Sequence, residues 1–125
     1  MSILINKDTR VLVQGITGSS GRMITQTMLD AGTKIVAGVT PGKGGQTVHG
    51  IPVFNSAAEA QAEIGFDTAI CFVPARAAKD SVIEVVDAGA KLLVLTTEEI
   101  PTHDVAALLA YARAHGTTIV GPGCS

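Results

Sequence analysis

Residues 11–21 read VLVQGITGSSG, an apolar run that ends at a glycine and is followed by two more glycines at three-residue spacing. Met23 and Ile24 then begin a pattern of helical spacing. A strand, a glycine-rich loop and a helix start are typical of a phosphate-binding turn, because glycine lets the backbone approach an anion and the first helical turn presents free N–H groups to it. The spacing is GxxGxxG and not GxGxxG, so the loop alone does not identify a dinucleotide site.

The composition of the chain favours one folded domain that spans residues 1–125. Hydrophobic residues make up 46% of the sequence and charged residues 16%, so we expect a compact core and exclude disorder. A net charge of −2 provides no basic surface for nucleic acid, and no apolar stretch is long enough to span a bilayer. The N-terminal stretch MSILINKDTR lacks a secretory signal, and Cys71 and Cys124 form no CxxC motif. We therefore expect the cytoplasm, or the mitochondrial matrix in a eukaryote.

Apolar runs alternate with helical periodicity along the chain, which predicts an α/β fold built from βαβ units. We expect a Rossmann-like, doubly wound parallel sheet of about five strands in the order 3-2-1-4-5, with helices on both faces. The predicted strands are residues 11–14, 34–39, 68–73, 92–96 and 118–120, and the predicted helices are about 20–31, 57–64, 77–88 and 104–115. The glycine-rich stretch 40–55 interrupts the pattern and is predicted to hold a small hairpin with its turn near Gly50.

The ligand of such a sheet is expected outside the carboxyl ends of the strands, beside strand one. The loop after this strand offers backbone N–H groups and three hydroxyl groups to a phosphate. Its candidate residues are Gly15, Thr17, Gly18, Ser19, Ser20 and Gly21. Three spaced glycines together with hydroxyls exceed what a tight turn requires.

The loop after strand two selects among nucleotides. An NAD site usually places an acid here to hold the ribose hydroxyls, but this chain continues from Val39 through TPG to Lys43. A lysine suits a phosphorylated ribose. This leaves NADP and coenzyme A as open alternatives, since both carry an additional phosphate on the adenosine ribose.

The loops after the next two strands add an apolar wall and a polar rim. Val73 and Pro74 follow strand three and suit the wall of an adenine or pantetheine site. Thr96, Thr97 and Glu98 follow strand four and offer acceptors for amide or amine N–H groups. The three histidines are scattered, and neither HExxH nor a Cys/His pair at ligand spacing occurs, so we predict neither a metal site nor a catalytic residue.

Four strings together resemble one family: LVQGITGSSG, VAGVTPGKGGQTVHGIPVFNS, FVPARAAKDSVIEVVDAGAKLLVLTTEEIP and IVGPGC. They resemble the alpha subunit of succinate–CoA ligase (succinyl-CoA synthetase), over essentially the whole chain but only over that subunit's N-terminal domain. The resemblance implies a coenzyme A ligand. It implies that residues 17–20 hold the CoA phosphates, that Lys43 contacts the nucleotide with Val73 and Pro74 beside it, and that residues 96–98 form the pocket rim.

This chain also departs from the pattern of that family. The family reads GPNCPG after strand five, whereas this chain reads GPGCS. The family's second domain, which carries the phosphorylated histidine, has no counterpart here, and none of His49, His103 and His115 matches that residue. The family is an ADP- or GDP-forming ligase with a separate beta subunit, so we expect this chain alone not to catalyse ligation. We also expect self-association through a surface that the second domain would cover. The alternatives are a stand-alone CoA- or NADP-binding regulatory module and an inert folded fragment.

Overall fold

A computed structural model of the protein describes residues 9–73, 75–96 and 102–121. Helices and strands alternate along them, as the hydrophobic pattern predicts. The strands are β1 (Val11–Gln14), β2 (Ile35–Val39), β3 (Thr47–Val48), β4 (Ile51–Phe54), β5 (Thr68–Cys71), β6 (Leu92–Leu95) and β7 (Thr118–Val120). The helices are α1 (Ser19–Asp30), α2 (Ala57–Glu63), α3 (Ala75–Asp87) and α4 (Thr102–Ala114). None of the helices in these ranges is long and apolar enough to cross a membrane.

The strands form one sheet in the order β3-β4-β2-β1-β5-β6-β7. Every neighbouring pair is parallel except β3 and β4, which form the hairpin predicted near Gly50. The prediction of a mostly parallel, Rossmann-like α/β sheet is therefore confirmed.

The predicted number and order of the strands need correction. The predicted order places residues 68–73 beyond strand two. In the structure the corresponding strand, β5, pairs instead with β1 on the side away from β2, with Leu12 opposite Ala69. The place beyond β2 belongs to β4, where Val53 pairs with Gly38. The signal of this short strand is obscured by Pro52, since proline is normally excluded from paired strands. Pro52 is tolerated because β4 is short and lies near the sheet edge.

The two faces of the sheet carry separate apolar layers. On one face, Leu12, Ala69 and Leu93 pack among the buried side chains of α2, α3 and α4. On the other face, Val13 and Ile16 pack against partly buried side chains of α1. Strands covered on both sides read as continuous apolar runs, and all four residues of both β1 and β5 are buried.

The predicted ends of the helices agree with the structure. Each helix bound lies within two residues of its expected place. The glycine that follows each helix has a positive φ, at Gly32, Gly65, Gly89 and Gly116. The start of α2 is capped by Ser56, whose side chain accepts a hydrogen bond from the backbone N–H of Glu59, as the spacing of these residues predicts.

The glycine loop is packed too tightly for side chains at two positions. A Cβ on Gly15 would lie 2.2 Å from the carbonyl oxygen of Phe72, and Gly15 has a φ of +76°. A Cβ on Gly21 would lie 2.2 Å from the carbonyl oxygen of Gly15. The loop therefore touches both the end of β5 and the first turn of α1 through its backbone, which explains why these positions are glycine.

The first prediction concerns this packing. Gly21→Ala is expected to lower the free energy of unfolding by about 1–3 kcal/mol, because the new methyl group forces the loop away from α1. Gly18→Ser is the matched control, since Gly18 has a φ of −72°, its Cβ would lie 3.5 Å from the nearest atom, the carbonyl oxygen of Gly15, and serine is a favoured N-cap. Urea denaturation of both variants measures the difference, and equal stability would contradict the packing argument.

The second prediction concerns Tyr111, the single tyrosine of the chain. Its hydroxyl donates a hydrogen bond to Asp87, which joins α4 to α3. This hydrogen bond, then burial, then the charge of Asp87 raise the pKa of Tyr111 above the usual 10.0. The bond requires the protonated phenol, so its stabilising effect is complete below pH 10.0 and is lost as the pH rises through the pKa of the folded state.

Absorbance of the tyrosinate, followed against pH in the folded protein, should show a midpoint above 10.0. Asp87→Ala should bring that midpoint down, because it removes both the acceptor and the charge. A midpoint unaffected by this substitution would show that Asp87 is not the cause.

Candidate functional site

The candidate site is centred on the start of α1, where the chain leaves β1. The N–H of Gly15 donates to the carbonyl of Val39 at 2.8 Å, and the N–H of Gly18 donates to the carbonyl of Gly15 at 3.1 Å. The helix then begins with Gly18 as its N-cap, without a side-chain hydrogen bond at the cap and without an acidic residue in its first turn. The first N–H groups of a helix have no partner inside it. This helix end therefore offers N–H donors and the positive end of the helix dipole to an anion.

A cavity of about 410 Å³ opens at this helix end. It brings together the loops that follow β1, β5 and β6, as expected for the carboxyl ends of parallel strands. Its lining residues are Gly18, Ser19, Ser20, Gly21, Phe72, Val73 and Thr96. The hydroxyl of Thr96 donates to the carbonyl of Cys71, so the threonine is held in place and its oxygen can still accept a hydrogen bond.

A second cavity, of about 260 Å³, shares Val73 with the first and so lies beside it. It is mostly apolar near the sheet and acidic along α3. Its lining residues are Gln14, Val39, Pro41, Val73, Ala77, Asp80, Ser81 and Glu84. Val39 and Val73 were predicted site residues, and they meet here although they are far apart in the sequence.

Gln14 is the most unusual side chain of the second cavity. It is 2% exposed, and its side-chain nitrogen donates to the carbonyl of Ser81 at 2.9 Å. Its side-chain oxygen is buried and has no donor among the residues that the structure describes. A buried amide oxygen without a donor is costly, so this atom marks a place where a ligand N–H or a water fits well.

The loop after β2 stands beside the second cavity. The hydroxyl of Thr17 donates to the hydroxyl of Thr40 at 3.1 Å, which ties the glycine loop to this loop. The N–H of Lys43 donates to the carbonyl of Thr40 at 3.0 Å and closes a tight turn. Lys43 itself is exposed and is not among the lining residues of either cavity.

The structure thus separates the predicted site residues into three groups. Of the predicted site residues, those that line the two cavities are Gly18, Ser19, Ser20, Gly21, Val39, Val73 and Thr96. Gly15, Thr17 and Lys43 belong to the surrounding loops and shape the site from outside the cavities. Pro74, Thr97 and Glu98 lie outside the described residues.

Sequence reasoning missed four residues of this region. Gln14 ends β1 and Phe72 directly follows β5, and both read as ordinary core positions. Arg22 donates from its Nε to the carbonyl of Thr17 at 2.9 Å, which places a cation beside the glycine loop. Its position in the first turn after Gly21 was a usable signal. The fourth residue is Asn55, whose contacts with the Lys43 loop no pattern in the sequence predicts.

The part of the chain between residues 9 and 121 that the structure describes contains no group of three or more His, Cys, Asp or Glu side chains that could hold a metal ion. His49 is exposed, and its Nε2 lies 3.2 Å from the carbonyl oxygen of Arg22. It links the hairpin turn to α1 and lies outside both cavities.

Known proteins of similar sequence match most of this chain. Residues 6–99 match the family described as CoA binding domain. The chain is 50% identical to the alpha subunit of the ADP-forming succinate–CoA ligase of Staphylococcus aureus over 99% of its own length and 41% of that subunit. The chain therefore spans less than half the length of this relative.

Solved structures show the same fold at low sequence identity. ATP citrate lyase from Methanothrix soehngenii, solved with citrate and coenzyme A, superposes with a TM-score of 0.79 at 20% identity, over 96% of this chain and 21% of that one. A 3-hydroxyisobutyrate dehydrogenase from Mycobacterium tuberculosis superposes with a TM-score of 0.68 at 24% identity, over 90% of this chain and 38% of that one. The family match extends over most of the sequence and over both cavities, and on this evidence the chain belongs to the CoA binding domain family.

Proposed function

We propose that this chain is a coenzyme A-binding module whose phosphate site is the start of α1. One observation carries the proposal: the uncapped helix end, free of acidic residues in its first turn, opens directly into a cavity formed by three strand ends. Backbone N–H groups and the hydroxyls of Ser19 and Ser20 are the donors that a diphosphate requires. Their arrangement supports a phosphate contact at residues 17–20.

The second cavity suits the adenine base of the same ligand. Val39 and Val73 offer apolar contacts to the ring, and the side-chain oxygen of Gln14 lacks a donor that an exocyclic amine supplies. The lysine loop beside this cavity then lies near the ribose. Lys43 is proposed to bind the phosphate that coenzyme A carries there, which would account for a cation where an NAD site has an acid.

The pantetheine arm is proposed to leave through the first cavity, past Phe72 and Thr96. Pro74, Thr97 and Glu98 stay predicted contacts, on the strength of the resemblance alone. None of these residues is assigned a catalytic step.

We further propose that the module serves a succinate–CoA ligase. The identity to the alpha subunit supports this assignment. In this proposal the chain supplies the coenzyme A site, and the phosphorylated histidine and the nucleotide-binding beta subunit are provided by other parts of the enzyme. We propose a cytoplasmic location, a partnership with a beta subunit and weak self-association, and we expect no ligation by the isolated chain.

NADP is the second candidate ligand. A lysine in place of the acid after β2 suits its phosphorylated ribose equally well, so Lys43 does not separate the two ligands. The two ligands differ beyond their adenosine part, because NADP requires room for a nicotinamide ribose where coenzyme A places an extended arm. A direct comparison of the two ligands is therefore the decisive experiment.

The third prediction is a titration of the chain with coenzyme A, dephospho-CoA and NADP by calorimetry. Coenzyme A should bind more tightly than dephospho-CoA, which lacks only the ribose phosphate, and more tightly than NADP. Lys43→Ala should weaken coenzyme A binding by about 1 kcal/mol, roughly fivefold in Kd, because an exposed ion pair is partly screened by solvent. Dephospho-CoA binding should not change.

Lys34→Ala is the matched control, since Lys34 is also exposed but precedes β2 at the opposite end of the strand. It should leave all three affinities unchanged. Tighter binding of NADP would favour the dinucleotide module instead, and the absence of heat with every ligand would overturn the proposed function.

A further inference from the structure

Asn55 holds the backbone on both sides of Lys43 with one side-chain oxygen. This residue follows β4 directly, and its Oδ1 accepts hydrogen bonds from the N–H of Gly42 at 3.0 Å and from the N–H of Gly44 at 2.9 Å. These two N–H groups flank Lys43 in the sequence. A single acceptor therefore holds the Pro41–Gly42 and Lys43–Gly44 peptide units.

The geometry of Gly44 shows how closely the Asn55 side chain is seated. A Cβ on Gly44 would lie 2.6–2.9 Å from the atoms of the Asn55 carboxamide. Any side chain at position 44 would therefore displace the amide and break both hydrogen bonds. The space at Gly44 and the two hydrogen bonds are independent observations that point to the same contact.

Asn55 is in turn held by the start of α2. Its backbone N–H donates to the carboxylate of Glu59 at 3.1 Å, and the N–H of Glu59 donates to the side chain of Ser56 at 3.2 Å. The side chain that holds the Lys43 loop thus belongs to a residue that is bonded to the capped start of α2. Backbone hydrogen bonds also hold the loop, from Lys43 N–H to the carbonyl of Thr40, from Gln46 N–H to the carbonyl of Lys43 and from Gly45 N–H to the carbonyl of Val53.

We infer that Asn55 is a positioning residue, which fixes the Lys43 loop so that the ammonium group meets the ribose phosphate of the ligand. The inference rests on the proposed function. Lysine has many rotamers, and binding must restrict them. A loop that already holds the Cα of Lys43 in place lowers the conformational entropy that is lost on binding. Only a ligand that contacts Lys43 gains affinity from this effect.

The fourth prediction is that Asn55→Ala lowers the preference for coenzyme A over dephospho-CoA. Coenzyme A should bind about threefold more weakly, and dephospho-CoA should bind as before, because only the ribose phosphate depends on Lys43. Combining Asn55→Ala with Lys43→Ala should cause no further loss, since both act on the same contact.

Three variants separate positioning from a general effect on the fold. Asn55→Asp should keep the preference, because a carboxylate oxygen accepts the same two N–H groups. Gly44→Ala should reproduce the loss without removing Asn55. Ser56→Ala should lower the melting temperature by weakening α2 but leave the ligand preference intact.

Hydrogen exchange tests the contact without any ligand. In Asn55→Ala, and not in Ser56→Ala, the amide protons of Gly42 and Gly44 should exchange faster. Unchanged exchange, or an equal loss of affinity for both ligands, would overturn the inference. A wild-type chain that fails to prefer coenzyme A over dephospho-CoA would overturn the proposed function, and with it the role of Asn55 in binding, even where exchange shows that the contact itself exists.

Discussion

The whole site depends on the contact between backbone atoms at Gly15 and Gly21. The loop after β1 passes directly against the carbonyl of Phe72 and beneath the first turn of α1, with no room for a Cβ at either position. This contact brings the start of α1 to the ends of β5 and β6. The N–H donors of the helix and the walls of the first cavity are thereby fixed by the packing of the core, and not by flexible side chains.

The electrostatics of the site follow from this backbone construction. Because the proposed phosphate site consists of N–H and hydroxyl groups, it carries no net charge and would suit any phosphorylated ligand of suitable shape. Selection among such ligands would then fall to groups outside the glycine loop. Two cations are tied to this loop: Arg22 donates to the carbonyl of Thr17, and the turn that carries Lys43 is joined to the loop through the hydroxyls of Thr40 and Thr17.

The sequence predicted the parts of the molecule that depend on local pattern. The apolar runs, the glycines after helices and the glycine loop gave the sheet, the helix ends and the residues around the first cavity, since each signal lies within a few neighbouring residues. The place of Ile51–Phe54 in the sheet was missed because Pro52 argues against a paired strand. Two features depend on contacts between distant segments, which no local spacing reveals. They are the side-chain oxygen of Gln14, which has no donor among the described residues, and the hydrogen bonds from Gly42 and Gly44 to Asn55.

The features set by local pattern and the contacts between distant segments have different parts in the proposed function. The sheet is shared with proteins as different as an ATP citrate lyase and a dehydrogenase, which match this fold at 24% identity or less. The fold therefore says little about which phosphorylated ligand binds. The loop between β2 and β4 is where this chain differs from a generic dinucleotide site, since it replaces an acid with a lysine and secures that lysine from the next strand through Asn55. In the proposed function, ligand choice thus falls to the loop between β2 and β4, which Asn55 holds in place and which the fold alone does not specify.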